Sequence, residues 1–248
     1  MKLRVLGSSS RGNGYILYND EEALIIECGY PLIDCLKVLN FDRKRIKGAL
    51  LTHEHGDHSK YVKDYLDAAI SVYASEGTIK EIGNVSFFGM SPIKSGNQLV
   101  VGGFVVMPFG TQHDCAEPLG FLINHKEMGN LLFATDTYYI RYKFPHLRNV
   151  MIECNYDIPL IDKSVREGVI PPFVMRRIMK SHMSLDTTIE TLKENDLSNV
   201  DKVILLHLSS NNSDADYFKS MVEQYTGKLV LVANSGMDID LEQFNYGQ

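Results

Sequence analysis

Between positions 53 and 58 the chain reads His-Glu-His-Gly-Asp-His, directly after the apolar run Ile46–Leu51. The imidazoles of His53, His55 and His58 and the carboxylate of Asp57 thus fall within six residues. Imidazole nitrogen and carboxylate oxygen are donors that zinc accepts, as do manganese and iron. With partners from elsewhere in the chain, four such side chains exceed the needs of one tetrahedral ion. Two ions sharing a hydroxide would use them. Gly56 lets the backbone turn these side chains toward one point. The four cysteines (Cys28, Cys35, Cys115 and Cys154) include no C-x-x-C pair and lie in apolar stretches. They are expected to be free, buried thiols in a reducing compartment.

The elements that must carry this cluster follow from periodicity. Short β-branched or aromatic runs predict strands at residues 3–6, 15–18, 23–26, 46–51, 72–74, 119–123, 131–134, 150–153, 203–207 and 229–232. Gly102-Gly103 predicts a hairpin between flanking strands. The segment GSSSRGNG, residues 7–14, reads as a loop, too rich in glycine and serine for a strand. Helical spacing predicts helices over 31–39, 60–69, 78–82, 172–180, 185–194 and 215–225, with Ser184 and Ser213 as caps. Strands and helices interspersed without a linker predict one layered domain over residues 1–248, sheets inside and helices outside.

Bulk properties limit the partners. The chain has 248 residues and a formal charge of −6, against binding of nucleic acid by overall charge. The distribution withdraws that objection. From Thr137 to His182 there are eight Lys/Arg (Arg141, Lys143, Arg148, Lys163, Arg166, Arg176, Arg177, Lys180) and four Asp/Glu. Tyr138, Tyr139, Tyr142, Phe144 and Phe173 lie among these cations, as a single-strand stacking groove would require. No stretch is long and apolar enough to cross a membrane, and the opening residues lack the apolar run of a secretory signal. A cytoplasmic protein without a membrane partner is expected.

The segment THEHGDH resembles the signature of the metallo-β-lactamase fold superfamily. Further motifs follow in that superfamily's order: His113 in GTQHDCAEPLGF, Asp136 in LLFATDT and His207 in VILLHLSSNN. LIIECGY resembles the first motif, with Glu27 where aspartate is usual. The resemblance implies an α/β fold, a four-layer αββα sandwich. It also implies two divalent ions, zinc first and manganese second. His53, His55 and His113 would hold one ion, Asp57, His58 and His207 the other, and Asp136 would bridge them. GSSSRGNGYIL, HDCAEPLGF, MIECNYD, SHMS and HLSSNN narrow the resemblance to the small YycJ/WalJ-type group linked to nucleic-acid processing. Tyr156 stands where that group has histidine, and Gly14 and Gly56 where it often has cysteine and serine. His182 in SHMS resembles a histidine of the tRNA 3′-processing nucleases that assists phosphoryl transfer.

These residues imply a phosphodiesterase or nuclease that hydrolyses DNA or RNA through a metal-bridging hydroxide. Asp57 would orient the hydroxide and His182 assist the leaving oxygen. Ser181, Ser184, Ser209, Ser210, Asn211 and Asn212 offer donors for phosphate oxygens. The alternative is a small-molecule hydrolase of esters, thioesters or lactones with the same fold. A metal-stabilised binding module is a third reading, opposed by the complete ligand set. His125, in a polar turn, and His146, with no strand-end placement, are expected on the surface.

Overall fold

In the computed structural model, residues 1–83 and 89–241 are described. The strands are β1 (Lys2–Ser9), β2 (Gly12–Tyr18), β3 (Ala23–Ile26), β4 (Ile46–Leu50), β5 (Val72–Ala74), β6 (Met90–Pro92), β7 (Leu99–Val101), β8 (Phe104–Gly110), β9 (Leu119–His125), β10 (Gly129–Ala134), β11 (Leu147–Glu153), β12 (Lys202–Leu206), β13 (Leu229–Val232) and β14 (Asp238–Asp240). The helices are α1 (Leu32–Val38), α2 (Gly56–Ser59), α3 (Val62–Asp67), α4 (Glu76–Ile82), α5 (Ile158–Arg166), α6 (Pro172–Ser181), α7 (Leu185–Lys193) and α8 (Ala215–Thr226). They form two mixed seven-stranded sheets flanked by helices, in the orders β14-β1-β2-β3-β4-β5-β6 and β13-β12-β11-β10-β9-β8-β7. This is the α/β sandwich expected.

Contacts divide the chain into two compact units. One comprises Met1–Gly110, Cys115–Asn130 and the residues from Asn234; the other comprises Thr111–Asp114 and Leu131–Ala233. In the first, Ile16, Ile25, Leu39, Leu51, Tyr65 and Val72 are among the fully buried core residues. In the second, Val150–Ile152 and Val203–Leu206 are buried without interruption. Such unbroken apolar runs suit β11 and β12, parallel strands covered on both faces. Each such side chain contributes about 1.5–3 kcal/mol on burial.

Several expectations need correction. The segment 7–14 is a hairpin, in which Gly7 pairs with Gly14 and Ser9 with Gly12. Its glycines suit the pairing because the Tyr30 ring covers them; a Cβ on Gly7 would lie 2.1 Å from the Tyr30 hydroxyl. The helix expected over 60–69 is α3, and a separate short helix not expected from the sequence, α2, precedes it from Gly56. Asp214, rather than Ser213, caps α8, its side chain accepting from the Tyr217 N–H. Ser184 caps α7 as expected, accepting from Thr187 N–H. The helix α5 and the short strands β6 and β14 were not anticipated. His125 is buried at the end of β9 with its Nε2 3.4 Å from Glu22 Oε1, whereas His146 is exposed. Cys28, Cys35 and Cys154 are free and buried, and Cys115 is only partly so.

Candidate metal centre

In the first unit β3 and β4 run parallel, with Ile26 beside Leu50, and both deliver polar residues at their ends. Beyond β3, Glu27 is fully buried at φ +68°, a left-handed conformation that most side chains avoid. Its carboxylate accepts from Thr52 Oγ1 at 2.6 Å, and Thr52 Oγ1 lies 2.9 Å from His53 Nδ1. Because the threonine proton goes to Glu27, the same oxygen accepts from His53 Nδ1–H. That tautomer keeps a lone pair on His53 Nε2, the arrangement that metal-ligating histidines show. Glu27 Oε1 also lies 3.3 Å from His58 Nδ1, so one carboxylate braces two imidazoles.

His55 closes the N-terminal end of α2 with an extended backbone, and its carbonyl accepts from the N–H groups of His58 and Ser59. This single turn places Asp57 and the buried His58 together, with His58 Nε2 3.3 Å from Asp57 Oδ2. The His53 ring lies 4.7 Å from that of His55 and 4.1 Å from that of His58. The intervening Glu54 is turned elsewhere, accepting from Ala116 N–H at 2.8 Å. Gly56 does not supply the expected turn, for it has ordinary helical geometry and open space where a Cβ would go. The required glycine is Gly29, whose Cβ would sit 1.9 Å from the Asp57 carbonyl oxygen and 2.5 Å from that of Asn13. Asn13 was not anticipated. Its buried amide nitrogen lies 3.2 Å from Asp57 Oδ2 and 3.0 Å from His58 Nε2. In sequence its segment reads as a loop.

The second unit repeats this placement. Asp136 follows β10 and His207 follows β12, both at positive φ, +46° and +53°. Glu153 is the last residue of β11 and fully buried. His113 Nε2 lies 3.7 Å from Asp136 Oδ2, and His207 Nδ1 lies 3.5 Å from Asp136 Oδ1. His113 Nδ1 donates to the Ser181 carbonyl at 2.8 Å, which again commits that nitrogen and leaves Nε2 for an ion. Asn155 secures His207, donating to its carbonyl at 2.8 Å. One ligand-type atom from each of Asp136, Glu153, His182 and His207 lies within 4.8 Å of the others.

His182 ends α6 and leaves the helix in an extended conformation. Its Nδ1 lies 2.6 Å from Glu153 Oε1, its ring stacks on His207 at 5.4 Å, and it meets the His113 ring edge-on at 5.3 Å. Glu153 Oε2 accepts from Thr137 N–H at 2.7 Å and Met183 N–H at 3.3 Å. Both oxygens of Glu153 therefore serve protein donors, which makes it a positioning residue for His182. Burial alone would raise the Glu153 pKa, but His182 and His207 outweigh it and hold the carboxyl below its ordinary value. Burial likewise opposes the charged form of His182, yet Glu153 more than compensates and raises its pKa. Burial lowers that of His113 despite Asp136. Glu153 escaped the sequence reading although a carboxylate closing an apolar strand was visible in MIECNYD. Tyr156 is buried behind the same segment, its carbonyl accepting from Leu185 N–H at 2.8 Å.

The donor chemistry of both units fits divalent ions that take imidazole and carboxylate. Burial pushes Cys28 and Cys154 well up and Cys35 up to about 12, so all three stay neutral. The expected phosphate donors are partly occupied elsewhere. Ser181 donates to the Arg177 carbonyl, Ser184 caps α7 and Asn212 is buried, while Ser210 and Asn211 are exposed. Tyr138, Tyr139, Tyr142 and Phe173 are exposed, but Phe144 belongs to the core.

The sequence profile of the beta-lactamase superfamily domain matches residues 35–208, most of the chain. The chain belongs to the beta-lactamase superfamily. Within it, this superfamily member is 27% identical over 237 residues to the exodeoxyribonuclease YycJ of Bacillus anthracis, covering 89% of this chain and 87% of that protein. It is 23% identical over 263 residues to the exodeoxyribonuclease WalJ of Streptococcus pneumoniae, covering 98% and 93%. Among solved structures, zinc-bound PqqB from Methylobacterium extorquens superposes with a TM-score of 0.72 at 15% identity, over 97% of this chain and all of that one. Among the described residues no helix is long and apolar enough to cross a membrane.

Proposed function

We propose that the protein is a metal-dependent phosphodiesterase of the cytoplasm that hydrolyses nucleic acid, DNA in the first instance. His53, His55 and His113 would hold one ion and Asp57, His58 and His207 a second, with Asp136 shared between them. Zinc suits this set best and manganese next. When bound, such ions supply Lewis acidity toward a phosphoryl oxygen and bring the pKa of water down to about 7. The chain's own residues do the rest. Asp57, tethered by Asn13, would orient the attacking water. Glu153 fixes the His182 ring through Nδ1, so that Nε2 can hold or deliver a proton at the leaving oxygen.

The observation that carries this reading is His182 held by the buried Glu153 beside Asp136 and His207. A purely structural metal site would not need an imidazole oriented by its own carboxylate next to the ligands. The kinship with proteins named exodeoxyribonucleases supports nucleic acid over small esters. The test is incubation of zinc- or manganese-loaded protein with end-labelled single- and double-stranded DNA and RNA. Release of nucleotides from DNA is expected. Turnover of thioesters or lactones with all nucleic acids left intact would replace this reading with the small-molecule hydrolase.

A further inference from the structure

In the second unit, α6 carries a feature that the metal centre does not use. Arg176, Arg177, Lys180 and Ser181 line a cavity of about 320 Å³ together with Asp114. Arg176 and Lys180, four apart, share one stripe of the helix and Arg177 lies beside it. All three cations are exposed. Asp114 is the one carboxylate in the lining, and it takes Arg177, whose Nε is 3.3 Å from Asp114 Oδ2. Three cations against one carboxylate leave two positive charges in excess, gathered in a concave space rather than spread over a rim. Like charges held this close repel, and an anion relieves that repulsion. The cavity also adjoins the proposed chemistry. The carbonyl of its Ser181 accepts from His113 Nδ1 at 2.8 Å, and His182 is the next residue.

We infer that this cavity binds a backbone phosphate of a nucleic-acid strand, one neighbouring the phosphate that is cleaved. The inference rests on the nuclease reading for its choice of polyanion. Lys180 and Arg176 would act as charges, and Arg177 would exchange Asp114 for phosphate oxygens, which its planar fork matches better than an ammonium does. The subsite makes affinity depend on a run of phosphates and so favours strands over mononucleotides.

The test uses metal-loaded protein and a short, fluorescein-labelled phosphorothioate single strand, which keeps its backbone charge and resists hydrolysis. Anisotropy titrations across salt concentrations compare wild type, Arg176→Ala/Lys180→Ala, and Lys163→Ala/Arg166→Ala, which removes equal charge from α5. The α6 double variant is expected to bind about tenfold more weakly, with its log–log salt slope flatter by about 0.7, the value for one phosphate contact on a single strand. The α5 double variant is expected to move both quantities far less. Equal losses in the two variants would reduce the cavity to bulk charge and overturn the inference, as would unchanged binding in the α6 variant. Thermal melts verify folding, and Arg176→Gln alone serves if the double variant unfolds. The expected binding pattern with no cleavage of an ordinary DNA strand would sink the nuclease reading and leave the phosphate subsite standing.

Discussion

Replacing Glu153 by glutamine tests whether His182 acts through its carboxylate partner. The substitution keeps shape and volume but removes charge from a fully buried site. Glu153 receives three donors, from His182 Nδ1 at 2.6 Å, Thr137 N at 2.7 Å and Met183 N at 3.3 Å. A glutamine that turns its NH₂ toward the two backbone N–H groups sets donor against donor, and one that turns it toward the imidazole makes Nδ1 the acceptor and moves the ring proton to Nε2. Hydrogen bonds to a charged group contribute about 1.5–3 kcal/mol, and a buried donor left unsatisfied costs about 1–3 kcal/mol. A net loss of about 2–4 kcal/mol follows, which for a chain of this size lowers Tm by roughly 5–15 °C. Catalysis should suffer separately. Loss of such an orienting partner costs about 10–100-fold, and this should fall on kcat with KM little changed, because the carboxylate does not touch substrate. The assay is steady-state cleavage of labelled DNA at a temperature where the variant is folded, with metal content measured in parallel. Glu153→Gln added to His182→Ala should cost little further activity, since the two residues act as a unit. Wild-type kcat in Glu153→Gln, or full additivity in the double variant, would refute the reasoning.

Further outcomes are expected elsewhere. Gly29→Ala must push its new methyl into the Asp57 and Asn13 carbonyls and should cost more than about 3 kcal/mol in urea unfolding. Gly56→Ala, with open space and helical geometry, should change stability by no more than about 1 kcal/mol in the same assay. Thr52→Val breaks the Glu27–Thr52–His53 chain and should weaken metal affinity about 10–100-fold in a competition titration with a chromophoric chelator. Removing metal with chelator should lower Tm, since a ligand at 100 times its Kd stabilises by about 2.7 kcal/mol. Calorimetry with and without added zinc measures that difference.

The sites at the ends of apolar runs were legible because a polar residue there has only one economical explanation. A buried strand such as β10 or β12 runs out at the end of its sheet, and Asp136 and His207 stand just beyond those strand ends. Glu153 obeys the same rule and was passed over because its partner, His182, lies 29 residues away and nothing local links them. Asn13 was hidden for another reason, since glycine and serine lower strand propensity and only the Tyr30 ring packed over the hairpin explains its pairing. Burial of His125 depends on Glu22, 103 residues distant, a compensation invisible to periodicity. The strands β6 (Met-Ser-Pro) and β14 (Asp-Ile-Asp) carry a proline and two aspartates, residue types depleted in strands, whereas the equally short β5 (Val-Tyr-Ala) shows strand formers.

Glu27, Asp136 and His207 hold left-handed backbone conformations at the ends of β3, β10 and β12. Each such conformation costs of order 1–3 kcal/mol in a residue other than glycine. Redesign for thermal resilience alone would therefore be drawn to these three places first, exchanging them for glycine or asparagine. Every such exchange would lighten the backbone and remove a carboxylate or an imidazole. Hardening this protein by global sequence optimisation is thus a route to a sturdier and chemically silent scaffold, unless those three identities are frozen beforehand.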